Sequence, residues 1–129
     1  MILFSPECKE IFSALAKAQA EFPIIPKSGY NPHFKSTYST LDDYERCCRP
    51  ITSKFDLGWS QIIVDYEGGH KLITLLFHTS GQWIQSTMTL IPVKQDPQSL
   101  GTCISYMRRY ALSSILGVYG SDRDWETKE

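Results

Sequence analysis

Residues 57–93 read LGWSQIIVDYEGGHKLITLLFHTSGQWIQSTMTLIPV, and this stretch decides the fold. It contains runs rich in Ile, Val, Thr, Tyr and Trp, residue types that favour β-strands. These runs span 57–67, 70–80 and 82–93. The pairs Gly68-Gly69 and Ser80-Gly81 lie between the runs and are typical of tight turns. Consecutive strands with such short connections predict a three-stranded antiparallel β-meander.

Alternation along the last of these runs indicates how the sheet is covered. One face of that strand carries Ile84, Ser86, Met88 and Leu90. The other face carries Trp83, Gln85, Thr87 and Thr89. We therefore expect one apolar face and one face that is in water or covered by polar groups. A lone three-stranded sheet needs a partner on its apolar face.

A helix after the sheet is the nearest candidate for that partner. Asp96-Pro97 is an N-cap followed by a first-turn proline, and Gly117 is typical of a helix end after Leu116. An apolar stripe runs along this helix and consists of Leu100, Ile104, Met107, Ala111 and Ile115. Packing this stripe on the meander predicts a β-β-β-α core.

Two more helices are predicted before the sheet. Ser5-Pro6-Glu7 is typical of a helix start, with Ser5 as the cap and Pro6 in the first turn, and apolar residues recur at helical spacing up to Phe22. Thr40 is a cap for the second helix, in which Pro50 predicts a kink or a break. The fold class is therefore α+β, with two N-terminal helices before the meander and its C-terminal helix.

The segment between these two helices, PIIPKSGYNPHFKSTYST (23–40), is rich in proline and polar residues. Its composition predicts a long loop without regular structure. From Phe22 to Leu41 there is no Asp or Glu, so the loop is basic although the whole chain has a net charge of −1. Its basic and aromatic candidates for binding are Lys27, Tyr30, His33, Lys35 and Tyr38. Such a loop suits an anion, and a loop held in place by its own aromatic rings is the alternative.

Two adjacent arginines lie between Tyr106 and Tyr110 in the last helix. On a helical wheel Arg108 projects about 40° from Ile104, so it borders the apolar stripe and needs a carboxylate or carbonyl partner there. Arg109 projects roughly 140° from Ile104 on the same wheel, so it lies on the open side of the helix, near Tyr106 and Tyr110. An arginine beside aromatic rings suits a phosphate and stacked bases. A salt-bridged Arg108 and a solvated Arg109 are the alternative.

Three segments resemble the ERF (essential recombination function) family. They are FKSTYSTLDDY (34–44), HTSGQWIQS (78–86) and DPQSLGTCISYMRRYALSSILGV (96–118), and AKAQAEFPIIPK (16–27) is similar to the family's N-terminal region. The resemblance implies a phage or prophage single-strand annealing protein with a β-β-β-α core. Such proteins anneal complementary DNA strands in homologous recombination without ATP, as rings or filaments.

The resemblance also implies which residues bind DNA and which partners are expected. Lys35, Ser36 and Tyr38 match the family's loop motif. Tyr106, Arg108, Arg109 and Tyr110 match its helix motif. The implied partners are single-stranded DNA, further copies of the chain and a host single-strand-binding protein, within the cytoplasm of a bacterium that carries the phage or prophage. No catalytic residue is implied, because annealing breaks no covalent bond.

Composition and length set the remaining expectations. We expect one annealing domain over residues 1–120 and a short acidic tail, SDRDWETKE, over 121–129. No apolar run reaches the roughly 18 residues of a membrane-spanning helix. The N-terminal residues lack the pattern of a signal peptide, and the four cysteines show no metal-ligand spacing, so reduced thiols in a cytoplasm are expected.

Two other functions stay open at the level of the sequence. Acids that would hold a metal in a nuclease are Asp42, Asp43, Glu45 and Asp65. However, there is no Gly-rich phosphate loop and no nucleophile–base motif, so we expect neither an enzyme nor a cofactor or metal. A self-assembling scaffold that does not bind DNA is the other alternative.

Overall fold

The computed structural model describes residues 2–120, and the predicted tail at 121–129 lies outside these residues. In chain order the elements are α1 (Lys9–Gln19), β1 (Gly29–Asn31), β2 (Ser36–Tyr38), α2 (Leu41–Lys54), β3 (Leu57–Tyr66), β4 (Gly69–His78), β5 (Trp83–Leu90) and α3 (Pro97–Leu116). Strands β3, β4 and β5 form the predicted antiparallel meander, and β1 and β2 form a separate two-stranded sheet. The predicted α+β class, with the meander packed on α3, is confirmed.

The inner face of the meander holds the core. Leu72 and Leu76 of β4 are completely buried, and Met88 and Leu90 of β5 lie beside Leu72. Ala111 of α3 packs into the same cluster, as the apolar stripe predicts. Helices α1 and α2 cover the other half of this face, so all three helices lie on one side of the sheet. Each large aliphatic side chain buried in this way contributes about 1.5–3 kcal/mol to folding.

The outer face of the meander is more apolar than the sequence of β5 predicts. Ile62 of β3 is 45% exposed and lies opposite Ile73 of β4. Phe77 of β4 is 40% exposed and lies between Gly58 and Trp83 on the neighbouring strands. Within residues 2–120 no helix covers this face. The prediction of a polar face was based on β5, whereas the apolar residues come from β3 and β4.

The N-terminal residues lie along the edge of β5. The Ser5 amide donates to the Trp83 carbonyl at 2.9 Å, and the Gln85 amide donates to the Leu3 carbonyl at 2.8 Å. The prediction that Ser5 caps α1 is wrong, because its hydroxyl accepts a hydrogen bond from the Trp83 amide and α1 begins at Lys9. Strand β3 therefore forms the edge of the meander that this segment does not cover.

Helix α2 begins as predicted but does not break. The Thr40 hydroxyl accepts a hydrogen bond from the Asp43 amide, and the Asp43 carboxylate accepts one from the Thr40 amide, which is a reciprocal capping box. The break considered at Pro50 is wrong, because the helix continues to Lys54. Cys48 and Thr52 are completely buried on either side of the proline, and their packing offsets the hydrogen bond that proline removes.

Residues 29–38 correct the prediction of a loop without regular structure. They form a β-hairpin in which Asn31 pairs with Ser36 around the turn at 32–35. The Asn31 side-chain oxygen accepts hydrogen bonds from the His33 and Phe34 amides, and Lys35 completes the turn with a φ of 51°. The prolines lie before the hairpin or in its turn, where no ladder hydrogen bond is lost, so they do not prevent pairing.

No helix in the described part of the chain is both long and apolar enough to cross a bilayer.

Candidate functional site

One carboxylate fastens the base of the β1–β2 hairpin to α2. Asp43 is 4% exposed and accepts hydrogen bonds from the Ser28 amide at 3.1 Å and the Ser28 hydroxyl at 2.8 Å. It also accepts one from the Thr40 amide at 2.8 Å. Because Ser28 precedes β1 and Thr40 follows β2, Asp43 holds both ends of the hairpin. Burial alone would raise the pKa of Asp43, but these hydrogen bonds keep it below its ordinary value.

Helix α3 has a second stripe, on the side turned away from the sheet. Its residues recur at spacings of three and four, so they share one face of the helix. They are Gly101, Thr102, Ser105, Tyr106, Arg109 and Tyr110, and Gln98 precedes them on the same face. The first half of this stripe consists of small and polar residues, and the second half contains two tyrosines and Arg109. It extends for about 18 Å along the helix axis.

An open groove of about 1000 Å³ lies between this stripe and the β1–β2 hairpin, and it is called here the hairpin–helix groove. Tyr38, Asn31 and Ser36 lie on the half-buried face of the hairpin and line it. Tyr30 lies on the opposite face of the hairpin and also borders the groove, as does Phe34 at the turn. Among the residues that the structure describes, Arg109 is the only charged one in its lining.

Arg109 joins the two walls of the hairpin–helix groove. Its guanidinium carbon lies 4.4 Å from the centre of the Tyr38 ring and 4.9 Å from that of Tyr106. One of its nitrogens, Nη1, donates to the Ser39 carbonyl at 3.3 Å. The sequence predicted Arg109 on an open side of α3, but the hairpin covers part of that side and leaves Arg109 half-buried. Arg109 is therefore a structural link as well as a candidate for binding.

Arg108 faces the sheet instead. Its Nε donates to the Gln61 side-chain oxygen at 3.4 Å. The Gln61 side-chain nitrogen in turn donates to the Arg108 carbonyl at 3.1 Å and to the hydroxyl of the buried Thr74 at 3.0 Å. The two arginines thus contact different elements, as the helical wheel predicts, and the partner of Arg108 is an amide oxygen.

The structure brings together part of the predicted set of site residues. The members that line the hairpin–helix groove are Tyr30, Tyr38, Tyr106, Arg109 and Tyr110. The members outside its lining are Lys27, His33, Lys35 and Arg108. His33 and Lys35 are exposed in the hairpin turn, where the His33 ring meets the Phe34 ring edge-on at 4.7 Å. Lys27 is half-buried just before the hairpin.

Sequence reasoning missed some residues of the site. Phe34, Gln98, Thr102 and Ser105 line the groove, and Asp43 with Ser28 holds the hairpin that forms one wall. The helical spacing of the small and polar residues in α3 was a usable signal, but only Tyr106, Arg109 and Tyr110 on that side of the helix were predicted as site residues. Asp43 was considered as a metal ligand of a nuclease, and its position at capping-box spacing after Thr40 was not used.

The acids considered for a nuclease are engaged in separate contacts. Asp42 pairs with Arg46, and Glu45 pairs with Arg49 on the exposed side of α2, where the hydrogen bonds from Arg49 lower the pKa of Glu45. The Asp65 carboxylate lies 2.7 Å from the His70 ring nitrogen Nδ1 at the far end of β3. Over residues 2–120, no group of three or more His, Cys, Asp or Glu residues is arranged to hold a metal ion.

A family model described as the ERF superfamily matches residues 11–129. The chain belongs to the ERF superfamily. This ERF match includes both walls of the hairpin–helix groove, and membership supports a general role in DNA recombination and strand annealing. No curated protein and no solved structure gives a significant match to this ERF chain.

Proposed function

We propose that this protein binds single-stranded DNA in the hairpin–helix groove and anneals complementary strands in homologous recombination without ATP. The observation that supports this best is the composition of the groove, which combines aromatic rings with Arg109 and, within the described residues, contains no carboxylate. Aromatic rings hold bases of any sequence, and arginine attracts phosphate. Membership of the ERF superfamily supports the same role at the level of the class.

Annealing sets physical requirements that this groove meets in part. Repulsion between the phosphates of two strands must be neutralised, which arginine and lysine achieve by releasing counterions. Arg109 lies in the groove, and Lys35 lies in the adjacent hairpin turn. One subunit offers few such contacts, so a repeated array is needed for tight binding. Since no covalent bond is broken, the proposal includes no catalytic residue and no cofactor.

The array is proposed to be a ring or filament of copies of this chain. Within residues 2–120 no strand pairs with the outer edge of β3, and this edge and the apolar outer face of the meander support self-association, because unpaired strand edges and apolar sheet faces favour contacts between chains. Association through this side of the sheet leaves the hairpin–helix groove free, because all helices lie on the other side. The groove of each subunit is then available to the same DNA strand.

Two parts of the proposal rest on the family alone. One is the place of action, the cytoplasm of a bacterium that carries a phage or prophage. The other is contact between the acidic segment 121–129 and a host single-strand-binding protein. A self-assembling scaffold without DNA binding is the competing function. It would not explain why aromatic rings and Arg109 line the groove.

Substitutions at Gly101 test the proposed function. A side chain at this position has open space, because an added Cβ meets no atom within 4 Å apart from its chain neighbours and the backbone of its own helix. Glu and Gln are both better helix formers than Gly, so both variants should fold. Gly101→Glu adds a negative charge to the groove and should weaken binding of labelled single-stranded oligonucleotides about tenfold or more, whereas the neutral Gly101→Gln should retain most of it.

Salt dependence completes this test. Binding of the unaltered protein to oligonucleotides of unrelated sequence should weaken as salt rises, because phosphate contacts release counterions. Equal affinity of the Gly101→Glu and Gly101→Gln variants would exclude the groove as the DNA site. A protein that binds no oligonucleotide at low salt would support the scaffold.

A further inference from the structure

We infer that the hairpin–helix groove holds unpaired nucleobases, stacked on its exposed aromatic rings, rather than the phosphate backbone alone. This inference rests on the proposed function and specifies which part of the DNA enters the groove.

The state of Arg109 argues against a groove built for phosphates alone. Its guanidinium is already in contact with the Tyr38 and Tyr106 rings and with the Ser39 carbonyl. Across the described residues it is the only cation in the lining of the groove. A track for phosphates requires a series of cations, because each neutralised phosphate adds its own share to the affinity.

The exposure of the aromatic rings that border the groove is the second observation in favour of bases. Phe34 is 71% exposed, Tyr30 is 58% exposed and Tyr106 is 49% exposed, although all three border one groove. The Tyr110 ring packs beside Tyr106 at 5.0 Å, so the tyrosines form a continuous aromatic surface. Large rings exposed together on a soluble protein mark a surface that a ligand covers. The ligand must present flat π-faces and tolerate a neighbouring cation.

Unpaired bases have both properties. Every base presents a π-face, so stacking on tyrosine and phenylalanine is independent of sequence. Phosphates linked to these bases remain attracted to Arg109 and to the exposed Lys35 in the turn. Bases in a duplex are already stacked on one another and are not free for the protein rings. The groove therefore selects single strands.

The experiment compares oligonucleotides that differ only in their bases. A 15-nucleotide thymidine strand and a 15-nucleotide chain of abasic tetrahydrofuran sites have the same phosphates. We expect the full-length protein to bind the abasic chain at least about tenfold more weakly at the same salt concentration. Equal affinity for both strands would overturn this inference and leave the proposed function intact. Absence of binding to either strand would overturn both.

Phe34 provides the matched variants. Apart from its edge-on contact with His33, its ring is largely in water, so substitution there should leave the fold intact. Phe34→Leu keeps an apolar side chain but removes the π-face, and it should weaken binding of the thymidine strand about fivefold without changing binding of the abasic chain. Phe34→Trp should retain binding. Phe12→Leu, at a 49% exposed position on α1 away from the groove, is the control.

The inference is decided by comparing how each variant binds the thymidine strand and the abasic chain. A loss that Phe34→Leu causes only on the thymidine strand supports stacked bases. An equal loss on both strands, or the same loss in Phe12→Leu, would overturn the inference.

Discussion

The guanidinium of Arg109 lies 4.4 Å from the centre of the Tyr38 ring and so connects α3 to the β1–β2 hairpin. The same guanidinium contacts Tyr106 on its own helix and the Ser39 carbonyl next to Tyr38. An arginine that stacks on rings in this way depends on its planar shape as well as its charge. Its substitution is therefore expected to affect both the hairpin and the binding of DNA.

Arg109 and Arg108 should have different effects when substituted. Arg109→Lys keeps the charge but loses the planar stack, so we expect weaker DNA binding, by about tenfold, and a loss of about 1 kcal/mol of unfolding free energy. Arg108→Ala removes a contact with Gln61 on the sheet side, so it should lower stability by about 1 kcal/mol with little effect on binding. Urea titration and oligonucleotide binding measure the two effects. Interchanged effects would contradict the placement of these side chains.

Removing the Asp43 carboxylate should destabilise the hairpin. Asp43→Ala leaves the amides of Ser28 and Thr40 without the acceptor that both use, and we expect a loss of about 3 kcal/mol of unfolding free energy. The control is Asp42→Ala, which removes a neighbouring, exposed acid of the same helix and should cost well under 1 kcal/mol. Similar losses in the two variants would show that Asp43 does not hold the hairpin.

The contribution of Asp43 should depend on pH. Its folded pKa lies below the ordinary value of 3.8, because its hydrogen bonds favour the charged form. The charged form is therefore stabilising, fully so above the ordinary value, and this stability is lost as the pH falls through the folded pKa. Urea titrations across this range should show the difference between the unaltered protein and Asp43→Ala decreasing in acid. A difference that stays constant would exclude this linkage.

A charge on the outer face of the meander should prevent self-association. Ile62 is 45% exposed, so Ile62→Glu should not disturb folding of the subunit. If copies associate through this face, burial of the new carboxylate is unfavourable and the particle mass should fall to that of a monomer. Strand annealing should then decrease, because on the proposed function a single groove offers too few contacts to hold DNA tightly.

Ile24→Glu is the control for that variant, because Ile24 is 70% exposed and lies in the segment before β1. It introduces the same charge without touching the sheet. A folded Ile62→Glu monomer that anneals as fast as the unaltered protein, at equal subunit concentration, would disprove the role of the array.

The sheet and α3 were predictable because their signals are local. Alternation along β5 and the apolar stripe of α3 define which sides face each other, and the structure confirms both. The outer face was predicted less well, because only β5 was used and the apolar residues Ile62 and Ile73 lie on the other strands. Side-chain alternation must be compared across a whole sheet before a face is assigned.

The hairpin was not predictable from local pattern. Its strands are short, and a two-stranded hairpin of this length is not stable by itself. Its stability comes from Asp43 and Arg109, which belong to other elements. The groove was missed in part for the same reason, since the small and polar residues of α3 acquire a role only when the hairpin lies opposite them.

Attachment of the hairpin has a consequence for how a DNA strand would reach the proposed site. Asp43 fastens the hairpin at its base, and Arg109 fastens it to α3, while the turn with Phe34 extends into water. A groove bounded in this way is open along its length rather than closed into a tunnel. A strand enters such a groove sideways, from anywhere along a long molecule, and no free end has to be threaded. If the groove binds DNA as proposed, loading is expected to be equally fast on circular and linear single strands.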